Sequence, residues 1–446
     1  VLRRQHSKPA PSSSKAAQES CLLTLGLDTI LQYPSFWLTG GVAAEIIGRV
    51  QGVSRLRIVV TGLAATFPLG GPFWDYLQYV LGFMRLGHDV MYIEDTGRWC
   101  YEPRLQTFIE SGAQNAVYLA RELARLSPRM TERWFFRDAT GASWGQDWQR
   151  VVEFCRSADL FVHISGSCNM REEYFAARRV VFIDSDPMYT QAIIPEYVAG
   201  RISDPDLLYR MGMLFKHDVF LTFAENILQP DCKVPRELFN WAPTRQPIVM
   251  DQFKDQVPLS ARRRVFTTVM SWDPREQGPT VNGVTYSGKS GEFLQFIDLP
   301  RRTPAAFEIA MSGRPPHEQL VQAGWKLIDG YQASADPWRY RQYLANSYGE
   351  WSVAKNAYVR SRSGWFSCRT ACYLALGVPA VVQDTGFGCA VPTGDGVLKF
   401  STLDEACEAI EAVLANPQHH AQAAYEIARE YFDSDKVLSR LVAQCG

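Results

Sequence analysis

Hydrophobic positions along this chain fall into short apolar runs that alternate with stretches of helical period. Arg57–Thr61 (RIVVT) is β-branched and predicts a strand; GLAATFPLGGP follows, then FWDYLQYVLGFMRLGHDV, whose apolar spacing predicts a helix entering a second strand at 90–93. Further runs predict strands at 160–164, 180–183, 219–223, 265–270 and within FEIAMSG at 307–313. PWRYRQYLANSYGEW at 337–351 has a helical pattern, VAKNAYV at 353–359 is apolar, and 403–414, 417–431 and 436–442 read as closing helices. Strands that alternate with helices predict an α/β protein with parallel sheets. Between 233 and 258 the pattern breaks up around Pro235, Pro243, Pro247 and Pro258, which marks a linker between two such sheets.

Small or acidic residues close several strands: SGS after Ile164, DSDP after Ile183 and AEN after Phe223. Ligands of open α/β sheets bind at the carboxyl ends of the strands, so these residues predict a pocket rim. Asp184 and Asp186 also suit caps and turns. The opening turn, with Gly62, Gly70 and Gly71, lacks the G-x-G-x-x-G spacing of a dinucleotide site.

The most informative stretch is VRSRSGWFSCRTACYLALGVPAVVQDTGFG at 359–388. A small, polar, Gly-containing loop (361–367) leads into a helix (368–376); Gly377-Val378-Pro379 stops it, and a strand (380–382) ends in Gln383-Asp384-Thr385-Gly386. Such a loop leaves free amides at the positive end of a helix, a good phosphate site. This stretch resembles the donor-binding signature of nucleotide-sugar-dependent glycosyltransferases of the GT-B fold. Ser363-Gly364-Trp365-Phe366-Ser367 stands for the first part of the motif, Gly377-Val378-Pro379 for the second, and Gln383-Asp384 for the closing acid–amide pair with the two residue types reversed. The family histidine before the glycine is absent, since Arg362 and Ser363 occupy its place.

The resemblance implies two Rossmann-like, doubly wound domains facing across a cleft. The boundaries it suggests are a flexible tail at 1–20, an acceptor domain at 21–250, a donor domain at 251–430, and a last helix at 431–446 crossing back onto the first domain. It implies donor contacts from Ser271, Trp272, Lys289, Ser363, Gly364, Trp365, Phe366, Ser367, Asp384, Thr385 and Gly386. The sugar falls to Asp384, because a carboxylate accepts two charge-assisted hydrogen bonds from hydroxyls. Trp272 equally suits a core, and Arg369 and Glu350 suit either the site or a surface and a helix start. A base is needed to take the proton of the attacking hydroxyl. The family position after the first strand, residues 64–71, holds neither His nor Asp. Asp75, Asp95, His163 and Asp186 are the substitutes, with His163 and Asp186 ahead because they close strands.

A competing motif is present: Gly283–Ser290 satisfies G-x-x-x-x-G-K-[ST]. A phosphate-binding loop of that type follows its strand directly, whereas here the strand at 265–270 lies more than ten residues upstream. Lys289 either reaches a diphosphate from a loop, as a lysine of the second domain does in several GT-B enzymes, or is a solvated lysine.

With 446 residues, 46% of them hydrophobic, the chain can bury two cores. A formal charge of -1 gives no electrostatic reason to expect nucleic acid or anionic lipid. The ten cysteines form no metal-type pair spacing and suit free thiols in a reducing cytoplasm. No apolar run is long enough to span a bilayer. The expected activity is transfer of a sugar from a UDP-, TDP- or GDP-sugar to a hydroxylated small molecule, with no obligatory metal and no nucleic acid. The alternatives are an epimerase or hydrolase of the same fold, a P-loop ATPase or kinase, and a non-catalytic sugar-nucleotide binder.

Overall fold

Two parallel sheets carry the chain, each built from the short apolar runs. The computed structural model describes residues 55–273 and 277–446. The expected tail at 1–20 and the apolar segment at 21–50 lie outside the described residues. The first sheet contains β1 (Arg57–Thr61), β2 (Asp89–Asp95), β5 (Trp134–Arg137), β6 (Ser143–Gly145), β7 (Leu160–Ile164), β8 (Arg179–Asp184), β9 (Val219–Thr222) and β10 (Trp241–Pro243); β3 (Cys100–Glu102) and β4 (Thr107–Ile109) form a separate hairpin. Its order is β10-β9-β8-β7-β1-β2-β5-β6, parallel except for the β5–β6 pair.

The second sheet contains β11 (Val265–Trp272), β14 (Ala306–Gly313), β15 (Lys326–Asp329), β16 (Gly349–Ser352), β17 (Ala380–Gln383) and β18 (Val397–Phe400), in the order β15-β14-β11-β16-β17-β18 and parallel throughout. Between β11 and β14 lies a second hairpin, β12 (Gln277–Val281) with β13 (Val284–Ser287). The strand order reverses beside β1 in one sheet and beside β11 in the other, and the crevice at such a switch point is where open sheets bind ligands.

One apolar core runs from β1 through the helix Gly70–Arg85 to the helix Cys368–Ala375 and β17, so the two sheets share buried surface. The closing helix, Ser434–Cys445, packs on Gly70–Arg85, where a Cβ on Gly82 would meet Leu438 Cδ1 at 2.4 Å.

Two sequence expectations change. The helical pattern at 337–351 ends earlier: Pro337–Ala345 is helix, whereas Gly349–Ser352 is β16. All four residues of β16 are buried between β11 and β17, and burial on both faces overrides the local period. VAKNAYV then contributes a short helix, Asn356–Ser361. The P-loop-like match is a β-hairpin: Asn282 and Gly283 sit at φ 50 and 75 in its two-residue turn, with Val281 facing Val284. Its lysine therefore begins a separate six-residue helix, Lys289–Leu294, and no amide-lined loop wraps a phosphate there.

Candidate active site

The loop 361–367 brings the helix Cys368–Ala375 to the carboxyl edge of the second sheet. Gly364 holds φ 80 and its amide donates to Thr385 O at 2.7 Å. No side chain fits there, since a Cβ would stand 2.4 Å from Asn226 N of the first lobe. Ser363 is fully buried and tied into the turn, its hydroxyl taking the Trp365 amide at 3.2 Å, while its carbonyl accepts the Asn226 amide at 3.0 Å. The Trp365 indole donates to Ser185 O, at the end of β8, at 3.0 Å and packs on Tyr358. Two of the expected donor residues thus hold the loop against the first sheet.

Ser367 is the N-cap of the helix, and its side chain makes no capping hydrogen bond. The first amides of a helix have no partner within it and carry the positive end of its dipole. A cavity of about 20 Å³ lies at this helix start, bordered by Ser352, Ala354, Phe366, Ser367, Thr370 and Thr385 among others. Thr370 is fully buried and its hydroxyl lacks a hydrogen-bond partner. Of the buried side-chain atoms without a partner among the described residues, the Thr370 hydroxyl is the one whose residue borders this cavity, and a space of that size takes one water or one ligand oxygen. Sequence reasoning missed Thr370; its only signal was a polar residue on the inner face of an otherwise apolar helix.

The remaining donor candidates are dispersed. Thr385 Oγ1 donates to Trp365 O at 2.6 Å and borders the cavity, and Gly386 at φ 92 gives the next turn its shape. Asp384 accepts from Lys399 Nζ at 3.0 Å and from the Gly386 amide at 2.8 Å, so its carboxylate is spoken for by β18 and its own turn. Gln383 instead borders the cavity, donating to Glu292 Oε2 at 2.7 Å and accepting the Ala354 amide. Phe366 is core, packed on Phe387 and Phe432. Trp272 is core as well, 4% exposed and edge-on to Phe293, whereas Ser271 beside it is exposed. Lys289 begins its short helix beyond the hairpin, near Ser290, whose hydroxyl donates to Asp273 O. Arg369 is paired with Glu350 at 2.8 Å and donates to Val269 O, which fixes the helix to β16 and β11.

Among the base candidates, His163 is corrected. Its Nε2 accepts the Cys168 amide, so Nδ1 carries the proton and donates to His217 Nε2 at 3.0 Å; His217 in turn donates from Nδ1 to the carbonyls of Met213 and Leu214. Both ring nitrogens are used, and burial holds the imidazole well below its usual range. Asp95 is also committed, accepting from Arg137, Arg171 and Tyr174. Asp184 turns inward to Gln191 and Thr222, and burial pushes its carboxyl up to about 6. Asp186, two residues on, faces the other lobe and binds Lys355 Nζ at 2.9 and 3.0 Å. The two acids of this Asp-Ser-Asp segment therefore serve different partners.

Asp75 is the candidate whose surroundings suit proton transfer. It lies in the first turns of Gly70–Arg85, partly exposed, opposite Cys368 and Arg369 at the start of the loop-capped helix. Burial raises its carboxyl to about 7, against the pull of Arg369 and a hydrogen bond with Cys368. Tyr76 beside it bonds to Ser165 at the end of β7. Ser165 and Gly166 both take positive φ, 57 and 59, at this rim. The site thus combines a helix start, an orphan hydroxyl and a carboxyl near neutrality, drawn from both sheets. Among the described residues, no group of three or more His, Cys, Asp or Glu side chains is arranged to hold a metal ion.

No family model matches the sequence, and no curated protein does. Solved structures do match. One is an alpha-glucosyltransferase in complex with UDP and a 13-mer DNA containing a HMU base, at 11% identity and TM-score 0.50, covering 88% of this chain and 100% of that one. Another is an alpha-glucosyltransferase with UDP-glucose and DNA containing an abasic site, at 11% identity and TM-score 0.50, covering 87% and 99%. A sucrose-phosphate synthase from Thermosynechococcus elongatus matches at 12% identity and TM-score 0.46, covering 87% and 99%. The chain has the GT-B fold of glycosyltransferases. Its GT-B neighbours also correct one expectation, the exclusion of nucleic acid: two of them hold DNA. A near-zero net charge averages over the whole surface, and a local basic site on a GT-B lobe escapes that average. Among the described residues no helix is long and apolar enough to cross a membrane.

Proposed function

We propose that this protein transfers a sugar from a nucleoside-diphosphate donor to a hydroxyl of its acceptor. The observation that carries the reading is the start of Cys368–Ala375: an uncapped helix end with a buried, unpartnered Thr370 hydroxyl beside a cavity at the sheet edge. That end supplies amide donors to the diphosphate and stabilises the charge that develops as the glycosidic bond breaks. Ser367, Thr385 and Gln383 border the donor, with Gly364 and Trp365 holding the loop in place. Asp75 takes the acceptor's proton, because a carboxyl near 7 is half ionised at neutral pH and the first lobe presents it to the helix end. The reading assigns the acceptor to residues 21–250 and the donor to 251–430; the boundary near 250, though not the division of labour, is supported by β1 to β10 preceding it and β11 to β18 following it. The described cysteines are all free, which supports a reducing cytoplasm as the compartment.

Calorimetric titration with UDP, TDP, GDP and ATP tests the donor reading. One or more of the pyrimidine or guanosine diphosphates binds, and Thr370→Val weakens that binding. Binding of ATP with magnesium alone, with no response to any of the three diphosphates, would overturn it in favour of an ATPase or kinase.

A further inference from the structure

The segment Gly283–Ser290 makes no phosphate loop, yet the short helix that follows it delivers one acid to the donor side of the molecule. Glu292 lies in Lys289–Leu294, which its neighbour Phe293 anchors: that ring is fully buried in the second apolar core, against Trp272, Trp325 and Trp351. Glu292 is only 4% exposed, and both of its oxygens accept from side-chain amides. Oε2 takes Gln383 Nε2 at 2.7 Å and Oε1 takes Asn356 Nδ2 at 2.6 Å. Asn356 is fixed in its turn, its Oδ1 accepting the Ser287 amide at 3.1 Å and its own amide donating to Gly288 O at 3.3 Å. Gln383 closes β17, and its Oε1 accepts the Ala354 amide at 3.0 Å.

These partners decide which way the Gln383 amide points. A carboxylate only accepts and a backbone N–H only donates, so Nε2 must face Glu292 and Oε1 must face Ala354. One Nε2 hydrogen is spent on Glu292 and the other is left. Gln383, Ala354 and Thr370 all border the cavity at the start of Cys368–Ala375, whereas Glu292 stands behind Gln383, outside that lining. The unpartnered Thr370 hydroxyl borders the same small space, so one ligand oxygen seated there can accept from both side chains.

We propose that Gln383 donates its remaining N–H to a diphosphate oxygen of the bound nucleotide, and that Glu292 is the positioning residue that makes it a donor. The proposal rests on the donor reading above and names the group that accompanies Thr370. An amide released from Glu292 could turn over and present its carbonyl, which repels an anion. Held by Glu292 and Ala354 together, it cannot.

Thermal unfolding and UDP calorimetry on the full chain test this. In Glu292→Gln one carbonyl must serve two amide donors, and in Gln383→Glu two carboxyl groups face each other; each change should lower the thermal midpoint by several degrees. Combining Glu292→Gln with Gln383→Glu keeps the net charge and restores every hydrogen bond of the set in reversed sense: the amide now at 292 donates to the carboxylate now at 383 and still accepts from Asn356, while Ala354 donates as before. The combined variant should recover most of the lost stability. It also puts a carboxylate oxygen where the N–H stood, so its UDP affinity should remain roughly tenfold or more below that of the parent. Recovered stability with parental UDP affinity overturns the proposal, because the direction of the amide would then serve packing alone. A combined variant no more stable than the single ones overturns it too, because the hydrogen bonds would not run as assigned. Thr370→Val in the same series separates the two readings. Weakened UDP binding in Thr370→Val with parental affinity in the combined variant strikes this proposal alone; parental affinity in both strikes the donor reading with it.

Discussion

Burial lifts the Asp75 carboxyl to about 7, so at neutral pH it exchanges a proton where an ordinary aspartate, near 3.8, would be fully ionised. The turnover rate should therefore rise with pH through about 7, and Asp75→Asn should lower kcat by roughly 10²–10⁴ with UDP affinity nearly unchanged. The same shift has a stability consequence. The folded chain keeps this proton up to about 7 while the unfolded chain releases it near 3.8, so stability is fully present below that value and is lost as pH rises to 7. Asp75→Asn should thus be more stable than the parent at pH 8, by about 1 kcal/mol once solvent contact at the carboxyl is allowed for. Equal stability in urea denaturation at pH 8, or an unchanged pH–rate profile, would contradict the assignment. Thr370 supplies a second residue-level test. Thr370→Val removes an unsatisfied hydroxyl and should leave the free protein as stable or about 1 kcal/mol more so, while weakening UDP several-fold. A loss of stability with unchanged UDP affinity would make Thr370 a packing residue.

At the scale of the element, the loop 361–367 joins two lobes through its backbone. Gly364→Ala demands φ 80 of an alanine and drives a Cβ to 2.4 Å from Asn226 N, and neither backbone can give way cheaply. About 2–3 kcal/mol of stability should be lost, together with UDP binding; a thermal midpoint within a degree of the parent would show that the loop is not pinned there. This element was legible in the sequence because its logic is local: glycine, cap, apolar helix, Gly-Val-Pro stop and β-branched strand occur in order. What was illegible required contacts between distant segments. β16 hid inside a helical pattern because its burial is set by β11 and β17, and Asp384 met Lys399 only once β18 lay beside β17. His163 ended a strand as expected, yet its partner His217 stands 54 residues away, on the far side of a helix pair. Asp75 was one base candidate among four until Cys368 and Arg369, nearly 300 residues later, were folded against it.

For the whole molecule, the paired histidines set the acid limit. Burial holds His217 at about 4 and His163 well below its usual range, so the unfolded chain takes up protons near 6.5 that the folded chain refuses. Their contribution is present above 6.5 and is lost as pH falls toward 4, opposite in sign to that of Asp75 over the same range, so it is read as a difference: relative to the parent, His217→Phe should gain about 2 kcal/mol of stability between pH 7 and pH 5. No such gain in the variant would assign the acid limit to other groups. The larger claim is that two sheets meet at one helix start, where Thr370 and the uncapped amides await a diphosphate opposite Asp75. A crystal structure of the protein with UDP tests it most directly. The account predicts diphosphate oxygens at about 3 Å from the amides of residues 368–370 and from Thr370 Oγ1. UDP bound elsewhere on the chain, with that helix start still covered by protein atoms, would contradict it.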